Sequence, residues 1–407
     1  MQPKRIRRPR MRSALAILLA AAATAARADA VTDWNQKAGE IMAEARLGTP
    51  PAIRVMALVQ TAVHEAVTRA AAKDASLDAA IAAANHASLT RLLPAQQAAI
   101  DAAYRAALAN VPEGAARAAG LAVGEASAAT VLAQRAGDVT GSPEEYRPHA
   151  AAGAYVPTAA PAAPHWARRK PWLLSAPGQL RPAAPPALAT QAWTRDFNEV
   201  KAIGARASSV RSAEQTDIAR FWEHSAPSIY TGVVRSVALA PGRDAARNAR
   251  LYAAVAQAMD DALISVFDAK YQYNFWRPLT AIRNGDIDGN DATAREASWT
   301  PLVDAPLHPE YPSGHAILAG SVGAVLKADI GAGPVPVLAT SSPTLKGATR
   351  RWSSIEDFVQ EVVDSRIYAG IHYRTATEVG AEMGRRIGLM AAERHFTQRF
   401  VTSAAQR

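Results

Sequence analysis

The sequence predicts an all-α protein, a helical bundle, and three observations carry that prediction. Apolar residues Val55, Met56, Val59, Val63 and Val67 recur at three- and four-residue spacing within residues 53–69, which marks one buried face of a helix. Alanine-rich stretches at 78–93, 96–110 and 113–136 have high helix propensity. No run of alternating β-branched residues and no repeat of fixed period is present, so the sequence gives no reason to expect a sheet.

Taken in order, the chain begins with Lys4, Arg5, Arg7, Arg8, Arg10 and Arg12, then an apolar run from Ala14 to Ala26 and small residues at Ala28 and Ala30. That is the layout of a secretory signal peptide over residues 1–30, too short in its apolar run to span a bilayer comfortably. An N-terminal helical part follows at 31–149. Segment 150–190 is rich in Pro and Ala with little periodicity and reads as an extended strap over the surface. Residues 191–407 form the helical core, expected to pack with 31–149 into one compact domain. There, Trp193, Phe197, Val200 and Ile203 mark a helix that stops at Gly204. Ser212 and Gln215 have the spacing of a capping box for the next helix. A longer helix is expected over 244–275. His315 opens another, because Pro312-Ser313-Gly314 precedes the apolar run Ile317 to Leu326. Ser353 or Ser354 caps a helix near 354–368, and 376–396 reads as the last.

Composition bounds the function classes. The chain has 407 residues, 49% of them apolar, enough to bury a large core. Its formal charge is +9, but residues 1–30 hold seven of the 45 Lys+Arg and one of the 36 Asp+Glu. The remainder carries 38 against 35, so the basic balance lies in the leader and does not indicate nucleic-acid binding. There are no cysteines, which excludes disulfides and thiol catalysis.

Three short strings carry chemistry. They are Lys270 to Pro278 (KYQYNFWRP), Pro312 to His315 (PSGH) and Ser365 to His372 (SRIYAGIH). Together they supply three permanent cations, a hydroxyl, a glycine amide and two imidazoles, an inventory suited to a multiply charged oxyanion held away from water. Lys270 and Arg277 are seven residues apart, about 20° short of two full turns. Both are therefore expected on one helical face, with Pro278 ending the helix. Arg offers a planar fork and Lys a point charge. Gly314 lets backbone approach an anion near a helix N-terminus, and Ser313 adds a hydroxyl donor. His315 suits general acid–base work; Arg366 adds the last cation and leaves His372 as nucleophile or metal ligand.

These strings resemble the signature of the acid phosphatase and vanadium-dependent haloperoxidase superfamily, which includes the type 2 phosphatidic acid phosphatases. The similarity to the bacterial haloperoxidase-like branch extends to Trp34-Asn35, AIRVMALVQTAVHEAV at 52–67, DFNEVKAIG at 196–204 and KYQYNFWRPLTAIRNGD at 270–286. The resemblance implies a helical bundle and vanadate or phosphate as the bound oxyanion. It implies Lys270, Arg277, Ser313, Gly314 and Arg366 as oxyanion holders, His372 as the vanadium ligand and His315 as the acid–base residue, with Lys270 also polarising peroxide. The partners implied are hydrogen peroxide and halide, giving hypohalous acid. The alternative is a soluble acid phosphatase that takes phosphate esters through a phosphohistidine at His372 and needs no vanadate. A third class is a catalytically inert oxyanion-sequestering protein. No nucleic acid and no stable membrane span are expected, the destination is periplasmic or secreted, and self-association into a homo-oligomer stays open.

Departures from the family pattern sharpen the expectations. His308 stands where bromoperoxidases have histidine and chloroperoxidases phenylalanine, which favours bromide or iodide; Phe267 stands where haloperoxidases commonly have tryptophan. Relatives carry an aspartate four residues after the ligand histidine, where this chain has Ala376, so Glu378 is the expected substitute orienting His372. Asp260, Asp261 and Asp268 lie near the first string, and the sequence leaves open whether any of them orients His315. The DIDGND loop at 286–291 reads as a solvated turn rather than a calcium loop, and Trp276 as core.

Overall fold

The computed structural model describes residues 29–138 and 146–397; the expected signal peptide lies almost wholly outside the described residues. Five helices come first: α1 (Ala30–Glu44), α2 (Thr49–Ala71), α3 (Leu77–Leu92), α4 (Gln97–Leu108) and α5 (Ala115–Gln134). Then come the strap and α6 (Gln191–Ile203), α7 (Ala213–Phe221), α8 (Pro227–Ala238), α9 (Ala245–Tyr273) and α10 (Pro278–Arg283). The series ends with α11 (Gly314–Ile330), α12 (Ile355–Tyr368) and α13 (Arg374–Ala392). The expected caps form: Ser212 and Gln215 make a reciprocal capping box on α7, and Ser354 accepts the Asp357 amide at the start of α12.

One expectation fails. Leu338–Ser342 (β1) and Ala348–Trp352 (β2) form an antiparallel hairpin, with Leu338 opposite Trp352 and Ser342 opposite Ala348. These segments contain few β-branched residues, so their pairing has little local signature. The pair is held instead by tertiary contact: Leu338, Ser342 and Trp352 are buried, and Ser342 Oγ donates to the Phe221 carbonyl at 2.7 Å.

The core is built around α9. From Leu251 to Phe267 every residue of that helix is buried, so it is wrapped on all sides rather than amphipathic. Helix α2 packs along it, and buried residues of α1–α5 join those of α8, α9, α11, α12 and α13 in one apolar cluster. Helices α11 and α13 touch backbone to backbone. A Cβ on Gly320 would lie 2.1 Å from the Ala381 carbonyl oxygen, and one on Gly384 would lie 2.0 Å from that of Ile317. Only glycine permits that approach, and it fixes the spacing of two helix starts that bear on the site.

The strap, with short 3-10 turns at Trp166–Arg168 and Pro177–Leu180, buries Trp166, Trp172, Leu174 and Leu180. Its anchor is a pair of aspartates on α9. The Asp261 carboxylate accepts the amides of Trp172, Leu173 and Leu174 at 2.7, 2.7 and 2.9 Å. Asp260 accepts the Trp172 indole N–H at 2.7 Å and pairs with Arg54 of α2, which also meets Asp138. Asp268 takes Arg181 bidentately at 2.7 and 2.8 Å. All three aspartates near the first string thus hold the strap.

In the DIDGND loop, Asp288 accepts from the Trp193 indole at 2.9 Å and the Thr293 hydroxyl at 2.6 Å. Trp276 is 1% exposed and stacks on Trp193 with centroids 5.8 Å apart, a core position as read from the sequence.

Candidate active site

The first string does not lie on one helix. Helix α9 closes at Tyr273, with Asn274 in the left-handed conformation at φ 49° and its amide returned to the Lys270 carbonyl. Arg277 is instead the N-cap residue of α10, and Pro278 opens that helix rather than ending α9. Proline at a first helical position loses no hydrogen bond and has the right φ already. Lys270 and Arg277 therefore converge from a helix end and a connecting turn, not from one helical stripe.

They converge on the loop before α11. Lys270 Nζ is fully buried and donates to the carbonyls of Pro309 and Glu310 at 3.0 and 2.9 Å. Arg277 donates through Nε to the His308 carbonyl at 3.0 Å and through Nη1 to the Ile371 carbonyl at 2.8 Å. Its Nη2 lies 2.9 Å from His308 Nδ1, and its Nη1 lies 3.2 Å from His372 Nε2. Ser313 caps α11, accepting the Ala316 amide, while its own amide donates to the Ala376 carbonyl at 2.9 Å. That bond ties the start of α11 to the first turn of α13. Arg366, buried in the last turn of α12, donates to the Trp222 carbonyl.

A cavity of about 630 Å³ brings the strings together: Lys270, Gly314, His315, Arg366 and His372 line it, with Phe267 and His308 on the same wall. Arg277 Nη1 lies 3.2 Å from His372 Nε2, and Ser313 is fully buried at the helix cap. The Phe267 and His308 rings meet edge to face at 5.3 Å.

The residue that orients His372 is Glu310, which sequence reasoning missed. Its Oε1 lies 2.7 Å from His372 Nδ1 and accepts the Tyr373 amide at 3.1 Å. Glu378, the expected partner, is exposed and lines a separate groove between α11, α12 and α13. The contacts also settle the tautomer. A guanidinium can only donate, so His372 Nε2 accepts from Arg277, Nδ1 carries the proton, and that proton goes to Glu310. The sequence signal was available: Glu310 is the single acid within the His308–His315 string.

Electrostatics follow from burying three cations beside one carboxylate. Burial pushes Lys270 well below its ordinary pKa, and Arg277 and then Arg366 add repulsion while Glu310 opposes it. Burial brings Arg277 and Arg366 each down to about 10. His308, His315 and His372 are all driven well below 6.5 by burial, with the cations as lesser causes. Glu310 rises by burial to about 8, against the pull of Arg277 and Lys270. Every one of these shifts disfavours the charged form, as burial does, with the neighbouring charges a lesser cause.

The donor set fits a tetrahedral oxyanion. His315 Nε2 and Arg366 Nε are buried with no hydrogen-bond partner among the described residues. Gly314 lines the cavity, and a Cβ there would meet nothing within 4 Å, so its backbone faces open space at the start of α11. Helix start, unpaired donors and surplus cations all point to a multiply charged anion.

Comparison with known proteins agrees. Residues 250–401 match the family model of the VCPO second helical-bundle domain. The matched segment contains all three strings, Lys270 to Pro278, Pro312 to His315 and Ser365 to His372. The chain is 31% identical over 172 residues to the vanadium chloroperoxidase of Curvularia inaequalis, covering 34% of this chain and 28% of that protein's length. Its fold is that of a bacterial vanadium-dependent iodoperoxidase (24% identity, 89% of this chain and 95% of that one, TM-score 0.75). A bacterial vanadium-dependent chloroperoxidase in its apo form is similar at TM-score 0.70, with 18% identity over 86% of this chain and 95% of that one. No helix among the described residues is long and apolar enough to cross a membrane.

Proposed function

We propose that this chain is an exported, periplasmic or secreted, vanadate-dependent haloperoxidase. It would oxidise bromide or iodide with hydrogen peroxide, so that peroxide, halide and a proton give hypohalous acid and water. The observation that carries the reading is the cation-rich cavity floor with the unprotonated Nε2 of His372 beside it. His372 would hold the vanadium through that nitrogen. Lys270, Arg277, Ser313, Gly314 and Arg366 would hold the oxygens, and Lys270 would also polarise peroxide. Vanadate, when bound, would supply Lewis acidity that activates peroxide without a change in its own oxidation state.

The protein's own share is placement and proton traffic. Glu310 holds His372 in the tautomer whose Nε2 is unprotonated, the form a metal ligand needs. His315, half-buried in the first turn of α11, has a pKa lowered by burial and stands neutral, the form in which an imidazole acts as general base. His308 packs on Phe267 and against Arg277; His308 supports the bromide or iodide preference, while Phe267 departs from the usual halide pocket. The iodoperoxidase relative by name supports the same choice.

The unprotonated Nε2 of His372, 3.2 Å from Arg277 Nη1, also suits attack on phosphorus, so the second reading is an acid phosphatase in which the protonated form of His315 serves the leaving alcohol. One experiment separates them. The purified protein, incubated with orthovanadate, is assayed for bromination of a phenolic dye with peroxide and bromide, and without vanadate for hydrolysis of an aryl phosphate. Bromination dependent on vanadate is the expected result. Hydrolysis that vanadate inhibits, with no bromination, would replace the proposal by the phosphatase.

A further inference from the structure

We infer that the β1–β2 hairpin is a splint for the active site and that Ser342 is a positioning residue within it. The hairpin fixes the turn between α7 and α8, and that turn orients both Arg366 and His315. The hairpin itself stands apart, for the described lining of the cavity includes neither strand. The functional consequence rests on the reading of Arg366 as an oxyanion holder and His315 as the acid–base residue.

The turn meets both residues through main-chain oxygens. Residues 222–226 join Phe221, the last residue of α7, to Pro227, the first of α8. The Trp222 carbonyl accepts from Arg366 Nη1, and the His224 carbonyl accepts from the His315 ring. A carbonyl can only accept. The ring nitrogen that meets it therefore carries the hydrogen, and the other is left unprotonated, as a base requires. Neither contact uses the side chain at 222 or 224; both depend on where the backbone of the turn lies. One shift of that backbone would disturb a cation and a base together.

The hairpin spans the two helices that flank the turn. The last carbonyls of a helix have no partner within it, and at the end of α7 the hairpin supplies one. Ser342 Oγ donates to the Phe221 carbonyl and Thr344 Oγ1 to that of Arg220, each at 2.7 Å. On the α8 side the Ala339 amide donates to Ser236 Oγ at 2.9 Å, and a Cβ on Gly232 would lie 2.2 Å from Thr340 Oγ1. Strand β2 adds Trp352, whose ring lies 5.9 Å from that of Trp222 between centroids. It also adds Arg350, which holds Glu361 at 2.8 Å while Glu361 accepts the Trp222 indole N–H at 3.0 Å. Ser342 is fully buried. Removing its hydroxyl leaves the Phe221 carbonyl only a 3.3 Å contact from Thr344 Oγ1.

The test compares Ser342→Ala with Ser341→Ala in the full chain. Ser341 stands on the same strand, but its Oγ meets Thr349 Oγ1 across the hairpin at 2.7 Å. General loosening of the hairpin should thus appear in both variants, and loss of positioning in Ser342→Ala alone. Long-range proton–nitrogen NMR of the vanadate-free, histidine-labelled protein reads the His315 ring, assigned by its loss in His315→Ala. Wild type and Ser341→Ala should show one neutral tautomer, and Ser342→Ala a mixture of two. Orthovanadate should bind Ser342→Ala about 3–10-fold more weakly in dialysis, the scale of one hydrogen bond. At saturating vanadate, kcat for bromination should fall by about 10-fold while KM for bromide stays within about twofold, because a displaced base slows the proton step without touching halide. Thr344→Val serves as a second variant should Ser342→Ala not fold. A single His315 tautomer with unaltered vanadate affinity in the folded variants overturns the inference, as do equal losses in Ser341→Ala. If wild type holds no vanadate, the oxyanion reading falls, and the tautomer comparison alone decides the inference.

Discussion

Substitution of Glu310 tests the orientation of His372 most directly, provided two variants are compared. Glu310 can act on a bound oxyanion in two opposing ways: its ionised form, favoured above about pH 8, repels the anion, while its Oε1 holds the His372 proton on Nδ1. Glu310→Gln and Glu310→Leu both remove the charge. Only Gln keeps an oxygen that accepts from His372 Nδ1 and from the Tyr373 amide, both of which Glu310 Oε1 now serves. The difference between the two variants therefore isolates the orientation. In the Leu variant two buried donors lose their acceptor, at about 1–3 kcal/mol each. Loss of such a partner typically weakens a ligand histidine's hold by about 10–100-fold. Orthovanadate affinity, measured by equilibrium dialysis, should thus be about 10–100-fold weaker in Glu310→Leu than in Glu310→Gln. Circular dichroism and thermal melts confirm that both are folded. Equal affinities in two folded variants would refute the orienting role, whatever the activities.

Three further outcomes follow. His372→Ala should lose vanadate retention, whereas His315→Ala should retain vanadate in dialysis and lose turnover by about 10²–10⁴-fold; equal loss of binding in both contradicts the division of roles. Gly384→Ala should lower the melting temperature through a destabilisation of about 1–3 kcal/mol or more, because its Cβ would lie 2.0 Å from the Ile317 carbonyl oxygen. Asp261 gives a pH signature. Burial raises its carboxyl to about 6, above an unfolded value of about 3.9, so the native state binds more protons between the two. Its contribution makes stability fall as pH rises through about 4 to 6. Asp261→Asn should flatten that slope in urea unfolding across the same window, and an unchanged slope would show that other groups set it.

The helices were largely legible because long apolar periods and end signals agree. Ser212, Gly204 and Ser354 end or begin their helices where local chemistry places them. The hairpin was not legible, since its strands are selected by packing on α7 and α8 rather than by their own propensity; Ala339 N–H, for example, donates to Ser236 Oγ of α8 at 2.9 Å. Nor was the commitment of Asp260 and Asp261 to the strap. Two adjacent acids inside an alanine-rich helix advertise burial, but only the tertiary path of residues 172–174 supplies their partners.

The same division applies within the site. Cations and imidazoles are legible because their chemistry is carried by residue type, and the order of the three strings restricts which anion they suit. Their geometry is not carried by residue type. Seven residues between Lys270 and Arg277 read as one helical stripe, yet Asn274 ends α9 and Pro278 starts α10, so the same two charges arrive by a break in the helix. The break matters chemically. On one stripe, neither residue would meet the loop before α11 from two directions; with the turn, Lys270 holds the carbonyls of Pro309 and Glu310 while Arg277 holds those of His308 and Ile371. The loop bearing Glu310 is thereby clamped against the loop bearing His372, and an acid that no helical spacing would select becomes the residue that fixes the His372 tautomer.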